Sequence, residues 1–297
     1  MKILITGKDG QLAQSLLKKN NSKYNLISLS KDELNLENYQ TLKNKILFHK
    51  PDWIINTAAF TDVEKAERKK NTTFCVNAYA VGEMAKILDS YGGRLLQLST
   101  DFVFKGDKNN PYSINDSCLP INQYGKSKLE GEKLCLKYPK NIILRTSWLY
   151  SICGNNFFIK ILNLHRKFAK ESKSFNVVND QIGCPTNTND LAKVCWKIID
   201  KSEDLDPNNQ IFHWSNSGII SRYDFAFMIG ALAEDLGIIE KAANVFPIRS
   251  YEYPSNTKRP SYSVLDCTDT KNLLKINQIH WFNALKETLI DYSLKNK

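Results

Sequence analysis

Met1-Lys2-Ile3-Leu4-Ile5-Thr6-Gly7-Lys8-Asp9-Gly10-Gln11-Leu12-Ala13 opens the chain. A short apolar run enters a turn with glycines at 7 and 10, and an amphipathic stretch, Gln11 to Lys19, follows directly. A strand, a bare turn and a helix in that order form an anion site, because a helix N-terminus presents free N–H groups and the positive end of its dipole. Gly7 permits the tight turn, Gly10 lets phosphates approach the backbone, and Ala13 is small enough for close helix–strand packing. This pattern is the signature of a dinucleotide site.

The alternation continues. Lys2 to Thr6, Asn25 to Leu29, Asp52 to Asn56, Arg94 to Thr100 and Asn141 to Trp148 are short, apolar and β-branched, as strands are. Gln11 to Lys19, Tyr39 to Phe48, Thr73 to Ser90 and Tyr124 to Lys137 carry helical periodicity between them. Continuously apolar strands alternating with helices predict an α/β fold, a Rossmann-type doubly wound parallel sheet covered on both faces. Residues 1–150 are expected to form this dinucleotide-binding domain. Residues 151–297 are expected to form mainly a smaller, mixed substrate lobe, with some later segments returning to the sheet. Helices are expected there at Asn156 to Phe168, Asp190 to Lys201, Arg222 to Leu236 and His280 to Ser293.

Composition narrows the function. With 297 residues and 42% apolar content, the chain can bury a sizeable core. Its net charge of +10 arises from scattered lysines, and the densest run (Lys65, Arg68, Lys69, Lys70) is interrupted by Glu64 and Glu67. That pattern fits a solvated surface or anionic small molecules better than nucleic acid. The seven cysteines form no Cys-x-x-Cys and are expected to be reduced thiols; the four histidines are isolated, so no metal is expected. The stretch Gly218 to Ile239 is broken by Arg222, Asp224, Glu234 and Asp235, so no membrane span is expected. The Gly-rich turn comes too early for a signal peptide, which leads to the expectation of a cytoplasmic protein.

Tyr124-Gly125-Lys126-Ser127-Lys128 places Tyr124 and Lys128 four residues apart on one helix face. A cation about 4 Å from the phenol is worth roughly 4 kcal/mol at an effective dielectric of about 20, enough to bring the phenol near neutrality. Upstream, a strand ends in Leu98-Ser99-Thr100-Asp101-Phe102, at the carboxyl edge where open α/β sheets bind ligands. Thr100 is placed to hydrogen-bond a substrate carbonyl beside Tyr124, and Asn77 to hold a proton-relay water. At the end of the second strand, Ser30 and Lys31 offer a hydroxyl and a cation, which favours NADPH. A solvated Lys31, or Asp32 turned inward, leaves NADH open.

With these residues in place, the chain resembles the extended short-chain dehydrogenases/reductases, and within them the dTDP-4-dehydrorhamnose reductase family. The resemblance is carried by Gly-x-x-Gly-x-x-Ala, Ser99-Thr100-Asp101, Tyr124-x-x-x-Lys128, Asn56 to Glu67, Arg145-Thr146-Ser147-Trp148, Gly154-Asn155-Asn156-Phe157, Asp180 to Thr186 and Arg259 to Asp266. It implies NAD(P)H-dependent reduction of the 4-keto group of a dTDP-sugar, with Tyr124 as acid, Thr100 polarising the carbonyl and Lys128 tuning Tyr124. It further implies that Gln11, Leu12, Asn35, Ala59, Phe60 and Thr61 line the cofactor site. Asp101 and Trp148 would touch the substrate, although a strand-end cap and buried packing are their plainer readings. Asn155 and Arg259 would add polar contacts to it, or simply stabilise loops. A homodimer is left open.

The chain also departs from that pattern. Phe102 replaces a tyrosine common after Ser-Thr-Asp, Ser30 and Asn35 stand where acidic residues occur, and Ser15 offers no carboxylate to the magnesium that some relatives carry. Related 4,6-dehydratases place a glutamate where Phe102 stands, which argues for reduction. Another nucleotide-linked 4-keto-6-deoxy sugar, an epimerase, or a non-catalytic regulatory subunit similar to that of methionine adenosyltransferase are the competing readings.

Overall fold

The computed structural model describes all residues except 21, 207, 208, 256, 296 and 297. The first half runs β1 (Lys2–Thr6), α1 (Gln11–Lys19), β2 (Asn25–Leu29), α2 (Tyr39–His49), β3 (Trp53–Asn56), α3 (Val63–Arg68), α4 (Lys70–Phe74), a π-helical turn at Cys75–Tyr79, α5 (Ala80–Asp89), β4 (Arg94–Thr100), α6 (Gln123–Cys135) and β5 (Ile142–Thr146). The stretch expected as one helix from Thr73 to Ser90 is therefore interrupted by a π-turn. A wider turn of this kind is rare and tends to occur where a helix serves a site.

The second half runs β6 (Leu149–Tyr150), α7 (Phe157–Lys170), β7 (Ser174–Val178), β8 (Ile182–Gly183), β9 (Thr186–Asn187), α8 (Thr188–Lys201), β10 (Ile211–Trp214), β11 (Ile220–Ser221), α9 (Arg222–Asp235), β12 (Asn244–Ile248), α10 (Thr268–Leu274) and α11 (Trp281–Lys295). Two of these elements, α8 and β10, return to the sheet.

Six strands form one parallel sheet in the order β2-β1-β3-β4-β5-β10. The chain moves outward from β1 to β2, then crosses back to β3 on β1's other side. Loops leaving β1 and β3 thus diverge to opposite faces and open a crevice at the strands' carboxyl ends. Successive residues of β1 bury on opposite faces. Ile3 and Ile5 join Leu12, Leu16, Leu191 and Val194 on the α1/α8 side, while Leu4 joins Leu42, Ile46, Val81 and Met84 on the α2/α5 side. Two buried faces explain why the strands lack the alternation of a half-exposed sheet.

The second half has its own core, in which Tyr150, Phe158, Phe225, Trp281 and Leu285 lie among α7, α9, α11 and the β7–β12 pair. Its remaining strands are two residues long: β8 pairs with β11, and β6 with β9. His165 packs against Gly230, where an added Cβ would meet the imidazole at 2.2 Å, and His213 is fully buried. Among the described residues no helix is long and apolar enough to cross a membrane, no group of His, Cys, Asp and Glu is arranged to hold a metal, and all seven cysteines are free thiols.

Candidate active site

The crevice begins at the glycine turn. Gly7 takes φ +66°, and an added Cβ would stand 3.1 Å from the Ala58 Cβ, so both conformation and space require glycine. The Gly10 N–H donates to the Gly7 carbonyl at 2.8 Å, and Gly10 begins α1 without any side-chain cap. The first N–H groups of α1 therefore lack side-chain partners and lie beside a turn with glycine at both ends. This is what a dinucleotide pyrophosphate requires.

Next to it, a buried polar ladder crosses the strand ends. The Thr6 hydroxyl donates to Asn56 Oδ1 at 2.6 Å, Asn56 Nδ2 to Gln97 Oε1 at 2.7 Å, and the Ala58 N–H to Thr6 Oγ1 at 3.1 Å. These bonds fix the loop carrying Ala59, Phe60 and Thr61, which remain accessible along the crevice. The polar residues that close otherwise apolar strands were the sequence signal for this ladder, which motif reasoning passed over.

Of the other expected cofactor residues, Leu12 is buried in the core beneath α1. The Gln11 side chain reaches away, accepting from Ser151 Oγ and Asn156 Nδ2, both at 3.2 Å. Asn35 is exposed and accepts from the Glu37 N–H in a local turn. At the end of β2 the arrangement differs from the expected hydroxyl and cation. Glu33 accepts from the Ser30 N–H at 2.9 Å and pairs with Lys8 at 3.1 Å, while Lys31 is exposed. Backbone and side-chain bonds from Ser30 and the Lys8 ammonium hold the Glu33 carboxyl down at about 2. The cation that pairs with Glu33 at the strand end is Lys8.

Thr100, Tyr124 and Lys128 converge at the carboxyl edge of β4. Gly125 makes this approach possible: an added Cβ there would meet the Phe102 carbonyl oxygen at 2.1 Å. Asn122 caps α6 by accepting from the Gly125 N–H at 2.8 Å, and Glu67 accepts from the Gln123 N–H at 2.8 Å. Phe102 lies edge-on to Tyr124, with ring centroids 5.7 Å apart. The Thr100 hydroxyl donates to Asp101 Oδ1 at 3.0 Å.

The expected electrostatics of the Tyr124–Lys128 pair are overturned. Burial pushes the Tyr124 phenol up to about 12, only partly offset by Thr100. Lys128 is 4% exposed and donates to the Leu98 carbonyl at 2.6 Å; desolvation lowers it to about 8, with Glu132 opposing. Desolvation outweighs the attraction that helix spacing suggested, because the ammonium is turned to a strand carbonyl rather than to the phenol.

Asn77 also differs from the expected water holder. Its Oδ1 accepts from the Phe60 N–H at 2.8 Å, and its Nδ2 donates to the Phe60 carbonyl and to Ser127 Oγ, both at 3.0 Å. Ser127 in turn donates to the Tyr124 carbonyl at 2.7 Å. Asn77 thus ties the loop at Phe60 to α6 through Ser127. The π-turn makes room for it: the Asn77 carbonyl lies against Gly131, where an added Cβ would be 2.2 Å away.

Of the expected substrate residues, Asp101 adjoins Thr100 at the end of β4, and the others lie on loops beyond it. Asp101 is 2% exposed, burial raises its carboxyl to about 6, and among the described residues its Oδ2 has no hydrogen-bond partner. Trp148 takes φ +46°, a costly conformation for a bulky residue, and packs on Gly183. Arg259 pairs with Glu64 at 3.3 Å, and Glu64 also accepts from Ser255 and Thr257. Asn155 is exposed, whereas its neighbour Asn156 caps α7 and binds Gln11. Motif reasoning missed Arg222, whose guanidinium lies 3.7 Å over the Trp148 ring.

A family profile described as the RmlD substrate binding domain matches residues 1–294. The chain belongs to the dTDP-4-dehydrorhamnose reductase family. A dTDP-4-dehydrorhamnose reductase from Aggregatibacter actinomycetemcomitans is 38% identical over 96% of this chain and 97% of its own. The crystal structure of one from Clostridium acetobutylicum superposes with a TM-score of 0.89 at 37% identity, covering 99% of this chain and all of that one. Another, from Bacillus anthracis in complex with NADP, gives a TM-score of 0.89 at 31% identity, covering 98% and 99%.

Proposed function

We propose that this protein reduces the 4-keto group of dTDP-4-dehydro-L-rhamnose to give dTDP-L-rhamnose, using NADPH and accepting NADH. The observation that carries this reading is the convergence of Thr100, Tyr124 and Lys128 beside the crevice at the β1/β3 switch point. The bare turn at Gly7 and Gly10 and the uncapped start of α1 fit a dinucleotide pyrophosphate, and the Bacillus anthracis relative holds NADP. When bound, the reduced dinucleotide supplies the hydride that reaches sugar carbon 4.

The residues do the rest. Tyr124, with its phenol near 12, is protonated at neutral pH, as a reductase's acid must be, and it delivers its proton to the carbonyl oxygen. Thr100 orients that oxygen. Lys128 has one donor on Leu98 and two in reserve for a ribose hydroxyl; its buried charge, one helical turn along, stabilises the phenolate that protonation leaves behind. Ala59, Phe60 and Thr61 line the cofactor's path. Asp101, Trp148, Asn155 and Arg259 form the substrate side.

Phe102, apolar and edge-on to Tyr124, supplies no carboxylate at the position where the related dehydratases carry a glutamate. A cytoplasmic setting follows from this chemistry, since reduced dinucleotide and nucleotide-linked sugar are both supplied there. The test is NADPH oxidation with dTDP-4-dehydro-L-rhamnose. Oxidation with formation of dTDP-L-rhamnose is expected. Tight cofactor binding without oxidation would transfer the case to another keto-sugar or to a regulatory role.

A further inference from the structure

Arg222 begins α9 at the junction of the two lobes, and its surroundings are unusual for a guanidinium. Its Cζ lies 3.7 Å from the centroid of the Trp148 ring and 5.2 Å from that of Phe157. It is half-buried, and no described carboxylate lies within ion-pair distance of it. Its backbone N–H is spent on the Gln181 carbonyl at 3.1 Å, but no described residue accepts a hydrogen bond from its side chain. The charges it senses are two: Asp101, next to the catalytic Thr100, and the like-charged Arg259. Burial and Arg259 both lower its pKa, and Asp101 only partly offsets them.

A guanidinium stacked on an aromatic face keeps its N–H fork directed outward in the ring plane, where it matches two oxygens of an anion. Stacking supplies attraction to the cation but satisfies none of these donors. Among the described residues nothing else satisfies them either. Trp148 is itself held in a left-handed conformation on Gly183, so the platform is rigid before any ligand arrives.

We infer that Arg222, seated on Trp148, is a substrate-binding residue that grips the diphosphate of the nucleotide-linked sugar. The identity of the anion rests on the reductase reading above; the requirement for an anion rests on Arg222 alone. Trp148 then serves as the floor that orients Arg222, and this gives a use to its strained backbone. Arg259 has Glu64 as its own carboxylate partner, so it does not compete with Arg222 for the acceptor oxygens of that anion.

The experiment compares wild type with Arg222→Gln and Arg222→Met. The Met variant retains an apolar chain over the indole but no charge. Binding of dTDP, of thymidine and of NADPH is measured by calorimetry, with steady-state kinetics on the keto-sugar. Losing hydrogen bonds to a charged group should weaken dTDP roughly tenfold to hundredfold in both variants. Thymidine and NADPH should bind as in wild type, and the kinetic loss should fall on KM more than kcat. NADPH binding also reports that each variant is folded.

Wild-type dTDP affinity in Arg222→Met would overturn the inference and reduce Arg222 to a prop for Trp148. Equal losses for thymidine and dTDP would overturn it as well, because the base rather than the diphosphate would then be recognised. So would failure of the wild type to bind dTDP. If the wild type binds dTDP in an Arg222-dependent way but does not reduce the keto-sugar, the reductase reading fails and the anion grip stands.

Discussion

On the sheet side of the cleft, Thr6, Asn56, Gln97 and Thr100 take their places from strand register, each at or near the carboxyl end of a parallel strand. On the lobe side, Trp148, Arg222 and Arg259 are placed by two-residue strands, an aromatic stack and long-range side-chain bonds. Glu64 there reaches Ser255 across 191 residues. The first wall is a consequence of periodicity, so its chemistry can be inferred from where a strand ends. The second is a consequence of particular side chains meeting, and no local pattern announces it. On the proposed reading, reaction chemistry belongs to the first wall and substrate choice to the second. Loops can therefore vary the substrate without disturbing the acid and its supports.

The comparison breaks first at Tyr124. Tyr124→Phe removes the proton donor and should lower kcat about 10²–10⁴-fold while NADPH affinity is kept. Near-normal turnover, measured alongside cofactor titration, would mean the sheet wall does not carry the chemistry.

A stability effect of similar size tests the rigidity of that wall. Arg145 on β5 and Glu132 on α6 form a two-bond ion pair at 2.7 and 3.0 Å, with side chains 3% and 2% exposed. Glu132→Gln leaves the buried guanidinium without its counter-charge and should cost about 3–5 kcal/mol in urea unfolding. The lobe's Asp180, which accepts from Ser250 in a partly exposed setting, should cost markedly less when changed to Asn.

The third prediction concerns pH. Lys128 is lowered to about 8 by burial, so its charge is full below that value and lost above it. kcat/KM should therefore fall about tenfold per unit as pH rises beyond about 8. The limb should be absent from the residual activity of Lys128→Met. A limb that persists in that variant would assign it to another group. The smallest effect is on the cofactor's far end: with Lys31 exposed and Lys8 paired to Glu33, Lys31→Ala should weaken NADPH by no more than about fivefold, and NADH less.

Legibility in the sequence followed the same divide. All five strands read from residues 1–150 lie in the sheet, three with identical bounds, because apolar runs between helices have few other uses. None of the seven strands after β5 was read, and only β7, β10 and β12 among them exceed two residues. Ser174–Val178 pairs only with Asn244–Ile248, which contains Pro247, a residue tolerated only where its missing N–H is not needed in the ladder. Ile211–Trp214 carries His213, whose ring is used inside the core against the Tyr112 carbonyl and Arg145.

Within the site, the grouping of Thr100, Tyr124 and Lys128 was legible but its electrostatics were not. Helix spacing placed Tyr124 and Lys128 on one face, yet only the packing shows Lys128 turned to Leu98 and the phenol desolvated. Asn77 reads as a polar residue on a helix; its tie to Phe60 and Ser127 depends on a π-turn that no local propensity indicates. Arg222 had no signal beyond its position at a helix start, since the indole that holds it, Trp148, is far away in the sequence.

The most direct test of the central claim follows the hydrogen itself. NADPH carrying deuterium at the transferable position of the nicotinamide is incubated with the protein and dTDP-4-dehydro-L-rhamnose, and the product is examined by NMR. The account predicts dTDP-L-rhamnose with deuterium at sugar carbon 4, and almost none formed by Tyr124→Phe. Label at another carbon, or unlabelled product formed at the wild-type rate by that variant, would contradict it.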